Sequence, residues 1–193
     1  MFHAFSERII AYAVKNGLLD SEKAEEYIYG LELSISVSAS YISVLLIGFI
    51  MGMLPEAALF LFLYVTIRRF AGGFHFESQV VCFLSMYIIS PLTFLIIRHG
   101  GDSIQLWSIV MAASVLTILL LSPVPAVEKP IDTKENVIYG RISRAISIIV
   151  SIIYVVLCFS QHIYIAKIIS STMCVVAILE ILGKIKYILH NRL

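Results

Sequence analysis

Charge is scarce in this sequence. Asp, Glu, Lys and Arg make up 14% of its 193 residues, against about 25% in soluble domains. Hydrophobic residues make up 60%, and the mean hydropathy is +0.94. This excludes a soluble globule, because a chain of this size keeps too much surface in water to hide so much apolar area. Lipid is the solvent that accepts it. Cysteine is scarce too. Cys82, Cys158 and Cys174 are odd in number, with no CxxC pair and no Cys/His cluster. That excludes a disulfide framework and a zinc site, and neither metal nor cofactor is expected. The net charge is +1, so no nucleic-acid partner is expected. The first residues lack the charged start, apolar core and small-residue cleavage site of a signal peptide.

What is present reads as one integral membrane domain over residues 1–193. Its expected parts are cytoplasmic or interfacial helices at 1–33, a transmembrane bundle at 34–183 and a cytoplasmic tail at 184–193. In the first part, Phe2, Phe5, Ile9 and Tyr12 recur at helical spacing up to the stop at Asn16-Gly17. Ser21 is a candidate cap for a second amphipathic helix striped by Ala24, Tyr27, Ile28 and Leu31. Both helices are read as lying on the membrane or packed under the bundle, with an ordinary cytosolic hairpin as the alternative.

Six apolar segments follow, at 34–54, 57–67, 80–97, 104–122, 145–160 and 163–182. They predict an all-α polytopic bundle of about six transmembrane helices. The second segment is short for a crossing, and a re-entrant half-span is its alternative. Charge placement favours a crossing. With the N-terminus inside and six spans, Arg8, Lys15, Lys23, Arg68, Arg69, Lys129, Lys134, Arg141, Arg144, Lys184, Lys186 and Arg192 are all cytoplasmic. That is twelve of the 14 basic residues, as the positive-inside rule requires. Both termini and the loops at 68–79 and 123–144 are then expected on the cytoplasmic side of a cell membrane.

The first of those loops leads into a helix carrying Cys82. Ser78 is a candidate N-cap, which puts Cys82 in or just past the first turn, where the helix dipole favours thiolate. His75 is seven residues earlier, about 10 Å along a continuous helix and out of hydrogen-bond reach. Gly72-Gly73 allows a sharp turn that carries His75 back over the helix start. A Cys/His pair for nucleophilic catalysis is therefore permitted by the spacing. A buried packing cysteine and an interfacial histidine are the bland alternative.

The run Arg68-Arg69-Phe70-Ala71-Gly72-Gly73-Phe74-His75, with Cys82 seven residues on, resembles the signature of the accessory gene regulator protein B family. Lys129-Pro130-Ile131, after a Pro-rich span end, is similar to that family's basic Lys-Pro loop. It departs from it in carrying one Lys preceded by Glu128. The resemblance implies a membrane-embedded cysteine endopeptidase that cuts a small propeptide and promotes its cyclisation to a thiolactone or lactone quorum-sensing signal. It implies Cys82 as nucleophile and His75 as base, with a thioester on Cys82. It also implies Arg68, Arg69 and Lys129 as contacts for an acidic propeptide tail, and a homodimer. Glu77 and Gln79 are candidates for orienting His75. The alternatives are a small membrane transporter or exporter using Arg68, Arg69, Lys167 and Glu180, and a non-enzymatic scaffold. No internal repeat supports the transporter.

The remaining features read as structural. Cys158 and Cys174 sit among Val, Leu and Ile and are expected to pack. Glu180 is expected to pair with Lys184 at i,i+4 near the membrane edge. Trp107 is expected at the interface, and His99-Gly100-Gly101 and His162 in outside turns.

Overall fold

The computed structural model describes residues 2–72, 79–124 and 133–190; of Phe2, 79–83 and 133–135 it describes the backbone alone. Seven helices run in chain order: α1 (Phe2–Lys15), α2 (Ala24–Ile50), α3 (Leu54–Ala71), α4 (Gln79–His99), α5 (Ile104–Leu121), α6 (Thr133–Phe159) and α7 (Ile163–His190), with a 3-10 turn at Ser21–Lys23 before α2. Among the described residues there is no strand, only the isolated bridge between Gly72 and Val124. The protein is an all-α, multi-pass membrane bundle. Helices α2, α5, α6 and α7 are each long and apolar enough to cross a membrane. Helix α3 has 18 residues, about 27 Å at 1.5 Å each, but carries Glu56, Arg68 and Arg69 at its ends.

Local chemistry sets the helix ends. α1 stops where Gly17 takes φ 68°, donating to Val14 O while Leu18 donates to Ala13 O, at 2.9 and 3.0 Å. This is a glycine C-cap that satisfies the last carbonyls. Asp20, rather than Ser21, caps the next element by accepting from the Glu22 N–H at 3.0 Å. The expected break between an amphipathic helix and the first span is absent. α2 runs unbroken over 27 residues, because neither Gly30 nor Ser34 interrupts its hydrogen bonding. It turns into α3 at Gly52, φ 66°, and Pro55 sits in the first turn of α3, where its missing N–H costs nothing. Helices α6 and α7 likewise outrun their apolar stretches, through polar turns at 133–144 and 183–190.

α7 is the central helix. It packs on α5, α3, α6 and α4, while α2 packs on α4 and α3. Its inward face carries Ile168, Met173 and Val176 beside small Ser170, Ser171 and Thr172, all buried. Small hydroxylated residues let helices approach closely and hydrogen-bond across a dry interface; Ser170 Oγ donates to Trp107 O of α5 at 2.9 Å. Phe60 stacks on Tyr64 and meets the edge of Phe94, with centroids at 5.6 and 5.7 Å, joining α3 to α4. Tyr87 and Ser43 hydroxyls at 2.7 Å tie α4 to α2. Large apolar side chains point outward instead, among them Ile50, Ile109, Leu120 and Phe159 at 80, 67, 71 and 83% exposure. That is the surface a lipid-facing bundle needs.

The turns 51–53, 100–103 and 160–162 gather at one end. Arg98 donates to Met51 O at 2.9 Å, and Tyr164 to Glu56 at 2.8 Å. Lys167, 2% exposed, donates to Gly100 O at 2.7 Å and Asp102 at 2.6 Å. Trp107 is 6% exposed and donates from Nε1 to Gly101 O at 2.8 Å. It is a packed residue that closes the α4–α5 turn rather than an interfacial anchor. The last turn of α3, the first of α4, the last of α5 and the first of α6 lie at the other end.

Candidate functional site

The last turn of α3 carries Arg68 and Arg69. Arg68 Nη1 donates to Gly72 O at 3.2 Å, and its guanidinium lies 5.8 Å from the Tyr64 ring centroid. Arg69 stands 5.8 Å from the Phe70 centroid, and Phe70 meets Tyr139 of α6 edge-on at 5.9 Å. Such cation–π contacts hold guanidinium groups in place at a membrane edge. α3 ends because Gly72 adopts φ 73° and ψ −140°, a conformation an L side chain resists. A Cβ there would also strike the carbonyl oxygen of Val124, so glycine is required twice over.

That close approach joins the two polar loops. Val124 N donates to Ala71 O at 2.9 Å. The α5–α6 connection therefore begins against the end of α3. Its base is fastened to α6: Arg144 Nη2 donates to Ser122 O at 3.2 Å, and Ser122 and Ser143 share a buried hydroxyl hydrogen bond. A Cβ on Gly140 would stand 2.8 Å from the Pro123 ring, so glycine lets the loop lie flat on α6. Arg68, Arg69, Gly72 and the entry to the Lys129 loop are thus brought together.

α4 opens at Gln79, which makes Cys82 the fourth residue of its helix, as the sequence predicts. The Cys82 side chain, His75, Glu77 and Lys129 lie outside the described residues, as do Ser78 and Gln79 as side chains. Cys158 and Cys174 are free thiols. Cys158 stands one residue from the far end of α6, away from this cluster, and packs against the core.

Glu180 is the residue whose surroundings differ most from the expectation. It is 0% exposed, and among the described residues neither carboxylate oxygen has a hydrogen-bond partner. The expected pair with Lys184 does not form; Lys184 stands 5.7 Å from the Tyr187 centroid. A helix packed on four neighbours turns position 180 inward. The available signal was a lone carboxylate in an apolar run, which by itself marks a functional position.

Known proteins match this chain over most of its length. The family model described as Accessory gene regulator B matches residues 6–182. AgrB-like protein 2 of Clostridium perfringens strain 13 is 30% identical over 137 residues, 67% of this chain and 64% of that protein. AgrB-like protein 1 of the same strain is 30% identical over 136 residues, 69% of this chain and 71% of that protein. An AgrB-like protein of C. perfringens strain SM101 is 29% identical over 124 residues, 61% of this chain and 58% of that protein. Two of the three matches thus cover less than two thirds of the relative's length. No solved structure matches. With the family model covering nearly the whole bundle and both polar loops, the chain belongs to the accessory gene regulator B family.

Proposed function

We propose that this chain is a membrane-embedded cysteine endopeptidase that processes a small propeptide into a cyclic quorum-sensing signal. The observation that carries the reading is the junction at Gly72. A loop bearing His75 leaves α3 there and is followed at once by a helix with Cys82 as its fourth residue, while the α5–α6 loop that bears Lys129 starts against the same point. Family membership supports the same reading.

In the proposed reaction His75 takes the Cys82 proton, and the thiolate attacks the scissile carbonyl. His75 then returns the proton to the departing amine, leaving the peptide as a thioester on Cys82. A thiol or hydroxyl of the same peptide attacks that thioester, the ring closes as a thiolactone or lactone, and Cys82 regains its proton. Exclusion of water matters, because hydrolysis would waste the intermediate. Arg68, Arg69 and Lys129 are proposed to bind carboxylates in the propeptide's tail, the two arginines as bidentate donors. All six helices α2–α7 are proposed to cross the membrane, with both termini cytoplasmic and the protein acting as a homodimer.

Co-expression with the small open reading frame beside its gene, followed by mass spectrometry, tests the proposal. A cyclic fragment lighter by one water than the excised linear peptide is expected. An unprocessed peptide in cells that hold the intact membrane protein would favour the transporter alternative.

A further inference from the structure

Helix α6 packs on α3, α5 and α7 and is open on its remaining side. At 3.6 residues per turn, Arg141, Ile148, Ile152 and Phe159 fall within about 40° of one another around the helix, and all four are exposed. Val137 and Ile138, one turn before Arg141, are exposed as well. Arg141 therefore interrupts an apolar stripe that faces lipid. It stands 18 residues before Phe159, about 27 Å along the axis. The hydrocarbon layer of a bilayer is about 30 Å thick. With Phe159 at one face of the membrane, the Arg141 guanidinium reaches the phosphates of the other.

Among the described side chains of α2–α7, every other Lys or Arg has a partner. Arg68, Arg98, Arg144 and Lys167 donate to backbone carbonyls. Arg69 and Lys184 lie over aromatic rings, and Lys186 is engaged too. Among the described residues Arg141 has no such contact. A cation set against lipid without a counter-charge is costly, and a planar guanidinium is the side chain that fits a phosphate through two parallel hydrogen bonds. Arg144, three residues on and also exposed, adds positive charge beside it.

We propose that Arg141 binds the phosphate of an anionic phospholipid whose acyl chains lie along the apolar stripe of α6. A lipid fits better than a free anion, because apolar side chains flank the guanidinium on both sides along the helix. A headgroup of net negative charge fits better than a zwitterionic one, whose ammonium the two arginines repel. The inference is independent of the peptidase reading.

The purified full-length protein is melted in detergent while dioleoyl phosphatidylglycerol or dioleoyl phosphatidylcholine is titrated in. Phosphatidylglycerol is expected to raise the melting temperature at lower concentration than phosphatidylcholine does. Arg141→Gln should raise the phosphatidylglycerol concentration for half the effect about fivefold, with Arg141→Lys between it and wild type. Lys15→Gln, which removes an exposed charge on α1, should titrate as wild type. Without lipid, Arg141→Gln should melt with wild type, because among the described residues its guanidinium has no partner to lose. The proposal fails if the two lipids act equally on wild type, or if Arg141→Gln titrates as wild type. It fails too if Lys15→Gln shifts the titration as far, since the attraction is then diffuse. A lower melting temperature of Arg141→Gln without lipid would make the residue structural and overturn the assignment. Inorganic phosphate at the same concentrations should give no shift; a shift equal to that from phosphatidylglycerol would make the ligand a free anion and overturn the lipid.

Discussion

The backbone N–H of Val124 donates to the carbonyl oxygen of Ala71 at 2.9 Å. One hydrogen bond thus fastens two loops that lie 52 residues apart in sequence, at the point where each leaves its helix. The chain can come this close only because residue 72 has no side chain.

Gly72→Ala tests that contact. A β-carbon at φ 73° costs about 1–2 kcal/mol in backbone strain, and displacing the Val124 carbonyl adds to it. The expected result is a melting temperature lowered by several degrees in detergent and processing reduced at least tenfold. Gly17→Ala has positive φ but open space around its Cβ, so it should show the strain without the loss of processing. Equal processing by both variants would mean that the joining of the loops does not matter to the site.

Topology follows from where the described basic residues stand. Arg98 and Lys167 lie at the end of the three short turns, and the other described Lys and Arg lie toward the opposite end. The positive-inside rule predicts the proposed orientation, with α1, both polar loops and the C-terminal end facing the cytoplasm. Single cysteines introduced at Lys15 and His190 should react with an impermeant maleimide only after the membrane is opened, and one at Gln161 in intact cells. Reaction at Lys15 from outside the cell would reverse the orientation.

The Lys167–Asp102 pair is asymmetric, and its two halves should behave differently. The Lys167 side chain is 3% exposed and the Asp102 side chain 75%. Removing the exposed partner leaves a buried ammonium with only the Gly100 carbonyl, whereas removing the buried one leaves a carboxylate that water can solvate. Asp102→Ala should therefore cost about 1–2 kcal/mol, and Lys167→Met less than that, as read from thermal melts of the purified protein. A larger loss from Lys167→Met would show that the ammonium's bond to Gly100 O, rather than the ion pair, closes this end.

Most of the helical architecture was legible in apolar run length and turn chemistry. The stop at Gly17, the turn at Gly72 and the opening of α4 near Gln79 are read from local steric and capping rules, whereas the first span, expected to run through Gly52 to residue 54, ends at Ile50. α2 runs unbroken across the boundary drawn at residues 33 and 34, because a switch from charged to apolar residues marks a change of solvent and not of backbone. Glu180 and Trp107 were misread for a different reason. Spacing along a helix gives the neighbours of a side chain on that helix, but only packing against other helices decides which faces of α5, which carries Trp107, and of α7, which carries Glu180, turn inward. Of the candidate site, the arginines and the joining of the two loops can be described from the structure, and the pairing of His75 with Cys82 rests on sequence spacing.

That pairing is what the central prediction tests. Cys82→Ala and Cys82→Ser should abolish processing, while the protein still inserts in the membrane at wild-type level. Insertion depends on apolar spans that one small residue hardly alters. Serine keeps the shape but is a far weaker nucleophile without a strong base, so residual processing should be small. His75→Ala should fail in the same way, because an imidazole is the side chain that exchanges protons near neutrality. Cys158→Ala and Cys174→Ala should process normally, since Cys158 packs against the core at the far end of α6 and Cys174 is a half-buried free thiol of α7. The intermediate gives a sharper readout. When the propeptide's ring-forming residue is replaced by Ala, a peptide should accumulate on the protein, shifting its mass by the acyl fragment. Hydroxylamine at neutral pH should release it, as it cleaves a thioester and spares an amide. Processing by Cys82→Ala at the wild-type rate, with the adduct mapping to Cys158 or Cys174 instead, would move the nucleophile to another helix and remove the Gly72 junction from the chemistry.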